Sequence, residues 1–103
     1  MNDNNNEVND EFVSENLKEL CHLIMKSGDE QFLMDFCECL FTKAERTDFA
    51  KRWQLVKEIN SGVTQRDIAK KYGMSLCKIT RGSKELAKPE SAFRKMLDLR
   101  GDK

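Results

Sequence analysis

The sequence is poor in helix-interrupting residues and in histidine. It has one proline, five glycines and a single histidine among 103 residues. That is too little glycine and proline for a collagen-like or low-complexity chain. No apolar run approaches the roughly 20 residues of a membrane span. The polar, acidic start lacks the features of a signal peptide, so we expect a cytoplasmic protein with no membrane partner.

Catalytic and metal-binding patterns are weak. His22 has no Ser, Asp or Cys at a recognised catalytic spacing, so no catalytic residue and no enzyme activity are predicted. Without a secretory signal, the four cysteines are interpreted as reduced thiols. A zinc site is an alternative that would use Cys21, His22, Cys37 and Cys39. However, their spacing lacks the two matched C-x₂₋₄-C pairs that are typical of such sites. We favour small buried hydrophobic roles for Cys21 and Cys37, with no metal and no cofactor.

Charge is abundant but unevenly distributed. The 18 basic and 18 acidic residues cancel over the whole chain. Residues 1–38 hold ten acidic and two basic residues, whereas residues 39–103 hold eight acidic and sixteen basic ones. Such asymmetry indicates a polyanionic partner such as nucleic acid, although a solvated helical face is the alternative.

The pattern of apolar residues predicts an all-α chain of about six short helices. Residues 1–10 are rich in Asn and acids and are expected to form a disordered arm. A single helical domain is predicted for 11–99, and residues 100–103 are expected to fray. The first two helices are apolar on broad faces. Short helices gain most of their stability from tertiary packing, so these faces are expected to be covered. We therefore expect a homodimer, the alternative being a marginal monomeric bundle.

Several residues mark helix ends. Gly28 is expected to end the first helix, and Thr42 with Glu45 forms a capping box for the third. Gly62 is predicted to end that helix, and Pro89 to lie near the first position of the last helix. The apolar stripe of the third helix is predicted to consist of Phe49, Trp53, Val56 and Ile59.

Residues 65–85 have the layout of a helix-turn-helix. Ile68 and Ile79 anchor the two helices, and Ala69 is small where the helices cross. Gly73 supplies the positive φ of the turn. Two further inward-facing residues are predicted, Tyr72 and Met74.

Basic residues decorate the outward face of this segment, and the early residues of its second helix are expected to enter the major groove of DNA first. Arg66 is predicted to read a base and Lys70 to contact phosphate. The predicted DNA-binding residues are Gln65, Arg66, Ala69, Lys70, Leu76, Cys77, Lys78 and Thr80.

Gly82 departs from the helix-turn-helix pattern, which usually has a branched apolar residue three positions after Ile79. A glycine within a helix costs about 1 kcal/mol relative to alanine. Either a flat ligand approaches closely here, beside Arg81, or the helix ends early.

The run Ile79-Thr80-Arg81-Gly82-Ser83, with residues 64–67 and 41–46, resembles the bacterial tryptophan repressor family over about residues 12–99. The resemblance implies an intertwined all-α homodimer that binds L-tryptophan as corepressor and then a palindromic operator DNA. The linker at 60–63 is one residue shorter than usual. A regulator of the same superfamily that acts without tryptophan remains an alternative, as does a helical protein-interaction module with a basic face.

The resemblance also implies which residues hold tryptophan. Arg52 and Arg81 would stack on the two faces of the indole, and Thr42 of the other chain would help Arg81 to bind the carboxylate. Backbone carbonyls of Cys39 and Phe41 would accept from the ammonium. The full predicted ligand set is Arg52, Arg81, Gly82, Thr42, Cys39, Phe41 and Glu85.

Glu85 stands where the family often has a smaller residue. As a surface group it would pair with Arg81, four positions earlier on the helix. As a ligand group it would accept a charge-assisted hydrogen bond from the tryptophan ammonium, and we favour this second role.

Overall fold

A computed structural model describes residues 8–102 of the protein. These residues form six α-helices and no strand, which confirms the predicted all-α class. The chain divides into two compact units, one ending at Phe41 and the other beginning at Thr42. The helices are α1 (Asp10–Ser27), α2 (Glu30–Leu40), α3 (Lys43–Asn60), α4 (Gln65–Tyr72), α5 (Leu76–Ala87) and α6 (Ala92–Arg100).

The first unit is a pair of helices with no buried residue in either helix. The side chain of Asn9 caps α1 by accepting a hydrogen bond from the Phe12 amide at 2.8 Å. Gly28 ends α1 with φ 56°, as predicted. The first seven residues of the expected arm 1–10 lie outside the described residues, and α1 already begins at Asp10.

The second unit begins with the predicted capping box. The Glu45 amide donates to Thr42 Oγ1 at 3.1 Å, and the Thr42 amide donates to Glu45 Oε1 at 2.9 Å. Because both orphan amides are satisfied, α3 begins at a defined residue. The helix ends at Asn60, followed by Gly62 with φ 94°.

The helices α3, α4 and α5 enclose one apolar cluster. Ile68 and Ile79 are fully buried there, and Met74 is nearly so. Ala69 and Tyr72 pack against the cluster, and Gly73 turns the chain with φ 63°. The inward-facing set predicted for residues 65–85 is therefore confirmed.

A second cluster joins α3, α5 and α6, and it corrects part of the predicted stripe of α3. Val56 is buried with Leu86 and Leu97, as a core position should be. Phe49, in contrast, is 63% exposed. Leu55, which the stripe omitted, is buried instead because α4 and α5 pack against the neighbouring face of α3.

The prediction for Pro89 was wrong. The residue lies in the turn between α5 and α6, and α6 begins only at Ala92. Ser91 caps this helix by accepting from the Arg94 amide at 3.2 Å. A capping hydroxyl satisfies an orphan donor, whereas proline only removes one, so the serine sets the boundary.

Candidate ligand pocket and basic surface

A pocket of about 300 Å³ lies between α3, α5 and α6 in the second unit. Leu55, Val56 and Phe93 give it apolar walls. Four of the seven predicted ligand residues line the same pocket. Lys78, which was predicted to bind DNA, lines it as well. These polar and glycine positions are Arg52, Lys78, Arg81, Gly82 and Glu85.

Gly82 lies in the interior of α5, which continues to Ala87. An early helix end is therefore excluded as the reason for this glycine. A Cβ atom at Gly82 would lie 3.0 Å from Leu55 Cδ2, closer than ordinary van der Waals contact. The missing side chain thus lets α3 approach α5, and Gly82 itself forms part of the pocket wall.

Two of the cations that line the pocket pair with one carboxylate, that of Asp48. Arg52 Nη2 lies 3.3 Å from Asp48 Oδ2, and Lys78 Nζ lies 3.5 Å from Asp48 Oδ1. Arg81 is exposed on α5. Apolar walls between cationic groups suit a flat aromatic ligand that carries a carboxylate, because guanidinium groups both stack on rings and bind carboxylates.

Glu85 does not form the ion pair with Arg81 that was the alternative to its predicted ligand role. Its Oε2 accepts from Lys88 Nζ at 2.7 Å, three positions later on the chain, rather than pairing with Arg81. The hydrogen bond and charge of Lys88 lower the pKa of Glu85, and the charge of Arg81 adds to this effect. Glu85 is therefore an anion at neutral pH.

The remaining predicted ligand residues are not part of this pocket's lining. Thr42 caps α3, while Cys39 lies in the last turn of α2 and Phe41 ends that helix. The Phe41 amide donates to the Cys37 carbonyl at 2.9 Å. The roles of Thr42, Cys39 and Phe41 toward a ligand stay predictions.

The predicted DNA-binding residues fall on two helices and differ in exposure. Gln65, Arg66 and Lys70 of α4 are exposed, whereas Ala69 is half-buried against the apolar cluster. On α5, Leu76, Cys77 and Lys78 are exposed and Thr80 is half-buried. Thr80 Oγ1 donates to Gln65 Oε1 at 3.2 Å, so these two side chains link α5 to α4.

A buried polar network behind this surface was missed by the sequence analysis. Glu58 of α3 is only 7% exposed. Its Oε2 accepts hydrogen bonds from the Tyr72 hydroxyl and from Gln54 Nε2, and Lys71 Nζ lies 3.6 Å away. The Tyr72 bond, followed by that from Gln54, lowers the pKa of Glu58. The sequence offered no signal for this network, because the burial of Leu55 and of Glu58 on α3 appears only in the folded structure.

The cysteines are less buried than predicted. All four are free; Cys21 and Cys39 are exposed and Cys37 is half-buried. The prediction that Cys21 and Cys37 are buried was wrong for the single chain, because neither α1 nor α2 has a buried residue. Within residues 8–102, no group of three or more His, Cys, Asp and Glu residues could hold a metal ion. No helix in the same range is long and apolar enough to cross a membrane.

Comparison with known proteins places most of the helical region in one family. The profile of the Trp repressor protein family matches residues 15–100. A Trp operon repressor homolog of Chlamydia trachomatis serovar L2 is 38% identical over 76 residues, which cover 73% of this chain and 81% of the relative. A Trp operon repressor homolog of Xylella fastidiosa strain M23 is 32% identical over 68 residues, covering 65% of this chain and 74% of the relative.

A third relative, the Trp operon repressor homolog of Chlamydia caviae, is 39% identical over 64 residues, covering 61% of this chain and 63% of the relative. No solved structure gives a significant match. The matched region includes every helix from α2 to α6 and most of α1. The chain therefore belongs to the Trp repressor family of transcription regulators, which is not a family of enzymes.

Proposed function

We propose that this protein is a tryptophan-responsive transcriptional repressor, which binds L-tryptophan as corepressor and then a palindromic operator DNA. The observation that carries the proposal is the meeting of Arg52, Arg81 and Gly82 at one apolar-walled pocket. Tryptophan biosynthesis or uptake genes are the expected targets, because the relatives are named Trp operon repressor homologs.

The pocket has the chemistry that an indole amino acid needs. Arg52 and Arg81 supply guanidinium planes that stack on the ring, and Arg81 also binds the carboxylate. Gly82 leaves room for the ring against α5. The Glu85 carboxylate accepts from the ligand ammonium, since one bond from Lys88 leaves further acceptor sites on its two oxygens.

A second copy of the chain completes the site in this proposal. Thr42 lies at the N-terminus of α3, where the helix dipole favours a carboxylate. Cys39 and Phe41 lie at the C-terminal end of α2, where orphan carbonyls favour an ammonium. The homodimer itself is supported by the apolar side chains of α1 and α2, none of which is buried in the single chain.

The DNA-binding part uses α4 and α5. Leu76, Cys77 and Lys78 begin α5 and are exposed, as residues that enter a major groove must be. Arg66 and Lys70 supply cations on the adjoining helix. Tryptophan strengthens DNA binding only through its higher affinity for the DNA-competent state, so operator DNA must tighten tryptophan binding by the same factor.

Isothermal titration with L-tryptophan tests the proposal most directly. We expect saturable heat with one site per chain, and its loss in Arg81→Ala. Titration in the presence of operator DNA should give tighter binding than titration without it. Absence of heat from a folded protein that still retards duplex DNA would instead support a regulator that acts without tryptophan.

A further inference from the structure

Asp48 on α3 is shared by two cations that the proposed function gives to different ligands. Its Oδ2 lies 3.3 Å from Arg52 Nη2, at the tryptophan pocket, and its Oδ1 lies 3.5 Å from Lys78 Nζ, near the start of α5. Arg52 is four residues away on the same helix, whereas Lys78 is 30 residues away. The Lys78 pair is thus a tertiary contact between α3 and α5.

Lys78 therefore has two alternative anionic partners. It is the third residue of α5 and follows the exposed side chains of Leu76 and Cys77, so a phosphate of bound DNA is within the reach of a flexible lysine. Its side chain is 52% exposed and that of Asp48 is 41% exposed. The pair is open to solvent, and a competing phosphate can approach the ammonium.

We propose that Asp48 is a specificity-determining residue that competes with DNA phosphate for Lys78. While the carboxylate holds the ammonium, Lys78 contributes less to sequence-independent binding of the backbone. A base-specific contact elsewhere on α4 or α5 then carries a larger share of the total affinity. This inference rests on the proposed DNA binding and adds that Asp48 lowers the sequence-independent part of it.

The size of the effect follows from the exposure of the pair. Exposed ion pairs shift an equilibrium by a factor of about two to five at low salt, and the factor shrinks as salt rises. A phosphate contact made by one lysine adds about 0.9 to the slope of log affinity against log salt. Removing the carboxylate should therefore tighten generic DNA binding and steepen its salt dependence.

The test measures fluorescence anisotropy of a random-sequence duplex over a salt series. Asp48→Asn should bind about two- to five-fold more tightly than the unmodified protein at low salt, with a salt slope steeper by up to about one. Asp48→Glu keeps the carboxylate and should stay near the unmodified affinity. Circular dichroism checks that each variant is folded.

Two backgrounds separate this contact from a general charge effect. In Lys78→Met, the gain from Asp48→Asn should fall to that of a matched control, Asp67→Asn, which removes an exposed acid from α4. In Arg52→Met, the gain should persist, because the Arg52 pair is not the one that DNA competes for.

The outcomes distinguish the inference from the function on which it rests. An equal gain from Asp48→Asn with and without Lys78 would overturn the inference while leaving DNA binding intact. If the unmodified protein and every variant leave the duplex free at low salt, the proposed function fails and the inference fails with it.

Discussion

Residues 8–41 and residues 42–102 contain comparable apolar helices but use them differently. Ile68, Ile79 and Leu97 of the second unit have no exposed surface, and two clusters enclose them. In the first unit, Leu17 is 58% exposed and Ile24 is 42% exposed. The four helices of the second unit cover one another's apolar faces, whereas neither helix of the first unit has a buried residue.

The comparison shows that helical periodicity predicts an apolar face but not what covers it. The second unit also carries the pocket and the basic surface on the same helices that form its core. Local changes there should alter binding directly, while changes in the first unit should act through assembly.

The largest expected effect comes from the same substitution in each unit. Ile79→Ala should lower the free energy of unfolding by about 2–5 kcal/mol, because it leaves a cavity among buried side chains. Ile24→Ala should cost a similar amount only if a second copy covers α1. Denaturant titration at several protein concentrations measures both.

Light scattering supplies the control for this pair of variants. The unmodified protein should show twice the 12.0 kDa chain mass. A monomer in which Ile24→Ala changes the unfolding free energy by less than about 0.5 kcal/mol, as at an ordinary surface site, would show that the first unit is uncovered.

The next effect concerns Gly82. Gly82→Leu should abolish the tryptophan response, because the side chain fills the ligand space and meets Leu55. Nonspecific DNA binding should persist. Gly82→Ala is the milder control: its Cβ would lie 3.0 Å from Cδ2 of the buried Leu55, so repacking there offsets part of the roughly 1 kcal/mol by which alanine favours the helix. A Gly82→Leu protein that responds fully to tryptophan would place the ligand elsewhere.

The basic surface allows a third, smaller comparison. Arg66→Ala should cost about 1–3 kcal/mol of operator binding and relax preference at one base pair, if Arg66 makes a bidentate guanine contact. Lys70→Ala should weaken binding to all DNA sequences evenly and lower the slope of log affinity against log salt by about one. Equal losses on operator and random duplex for Arg66→Ala would remove it from the base-reading residues.

Glu85 should have a more modest effect on the ligand. Glu85→Gln should weaken L-tryptophan binding by roughly five-fold, about 1 kcal/mol for a partly exposed charge contact. Binding of indole-3-propionate, which lacks the ammonium, should barely change. Calorimetry with both ligands makes the comparison, and equal losses would leave Glu85 as the partner of Lys88 alone.

The smallest effect is a pH dependence of the second unit's core. The pKa of Glu58 lies below its ordinary value of 4.5 because Tyr72 and Gln54 donate to it. Its contribution to stability is therefore complete above the unfolded pKa and is lost as pH falls through the lower folded value. Glu58→Gln should flatten the acid limb of a pH–stability curve, and an unchanged limb would contradict this assignment.

Several features of the fold could be predicted because they depend on residues close in sequence. The Thr42–Glu45 capping box and the left-handed Gly73 depend on a few neighbouring residues and their backbone geometry. Burial of Ile68 and Ile79 followed from spacing within one helix-turn-helix pattern. Arg81 and Gly82 were predicted to lie at a ligand from the break in that pattern, Arg52 was added by the family resemblance, and all three line one pocket.

Other features could not be predicted because they join residues far apart in the chain. Tyr72 reaches Glu58 across 14 positions, and Lys78 reaches Asp48 across 30. A periodic pattern carries no information about which faces meet. Periodicity alone therefore placed Phe49 in the core of α3, whereas Leu55 is the residue that is buried there.

The amino-acid sequence was enough to predict the helical class, the caps, the buried set of α4 and α5, and the basic character of the second half, because each depends on local composition and spacing. The folded structure was needed to show that Gly82 lies within a continuous helix against Leu55. It also showed that Lys78 lines the pocket beside Arg52 and that both cations pair with the carboxylate of Asp48. These contacts arise where α3 crosses α5, and the packing of side chains between those two helices sets the geometry of that crossing.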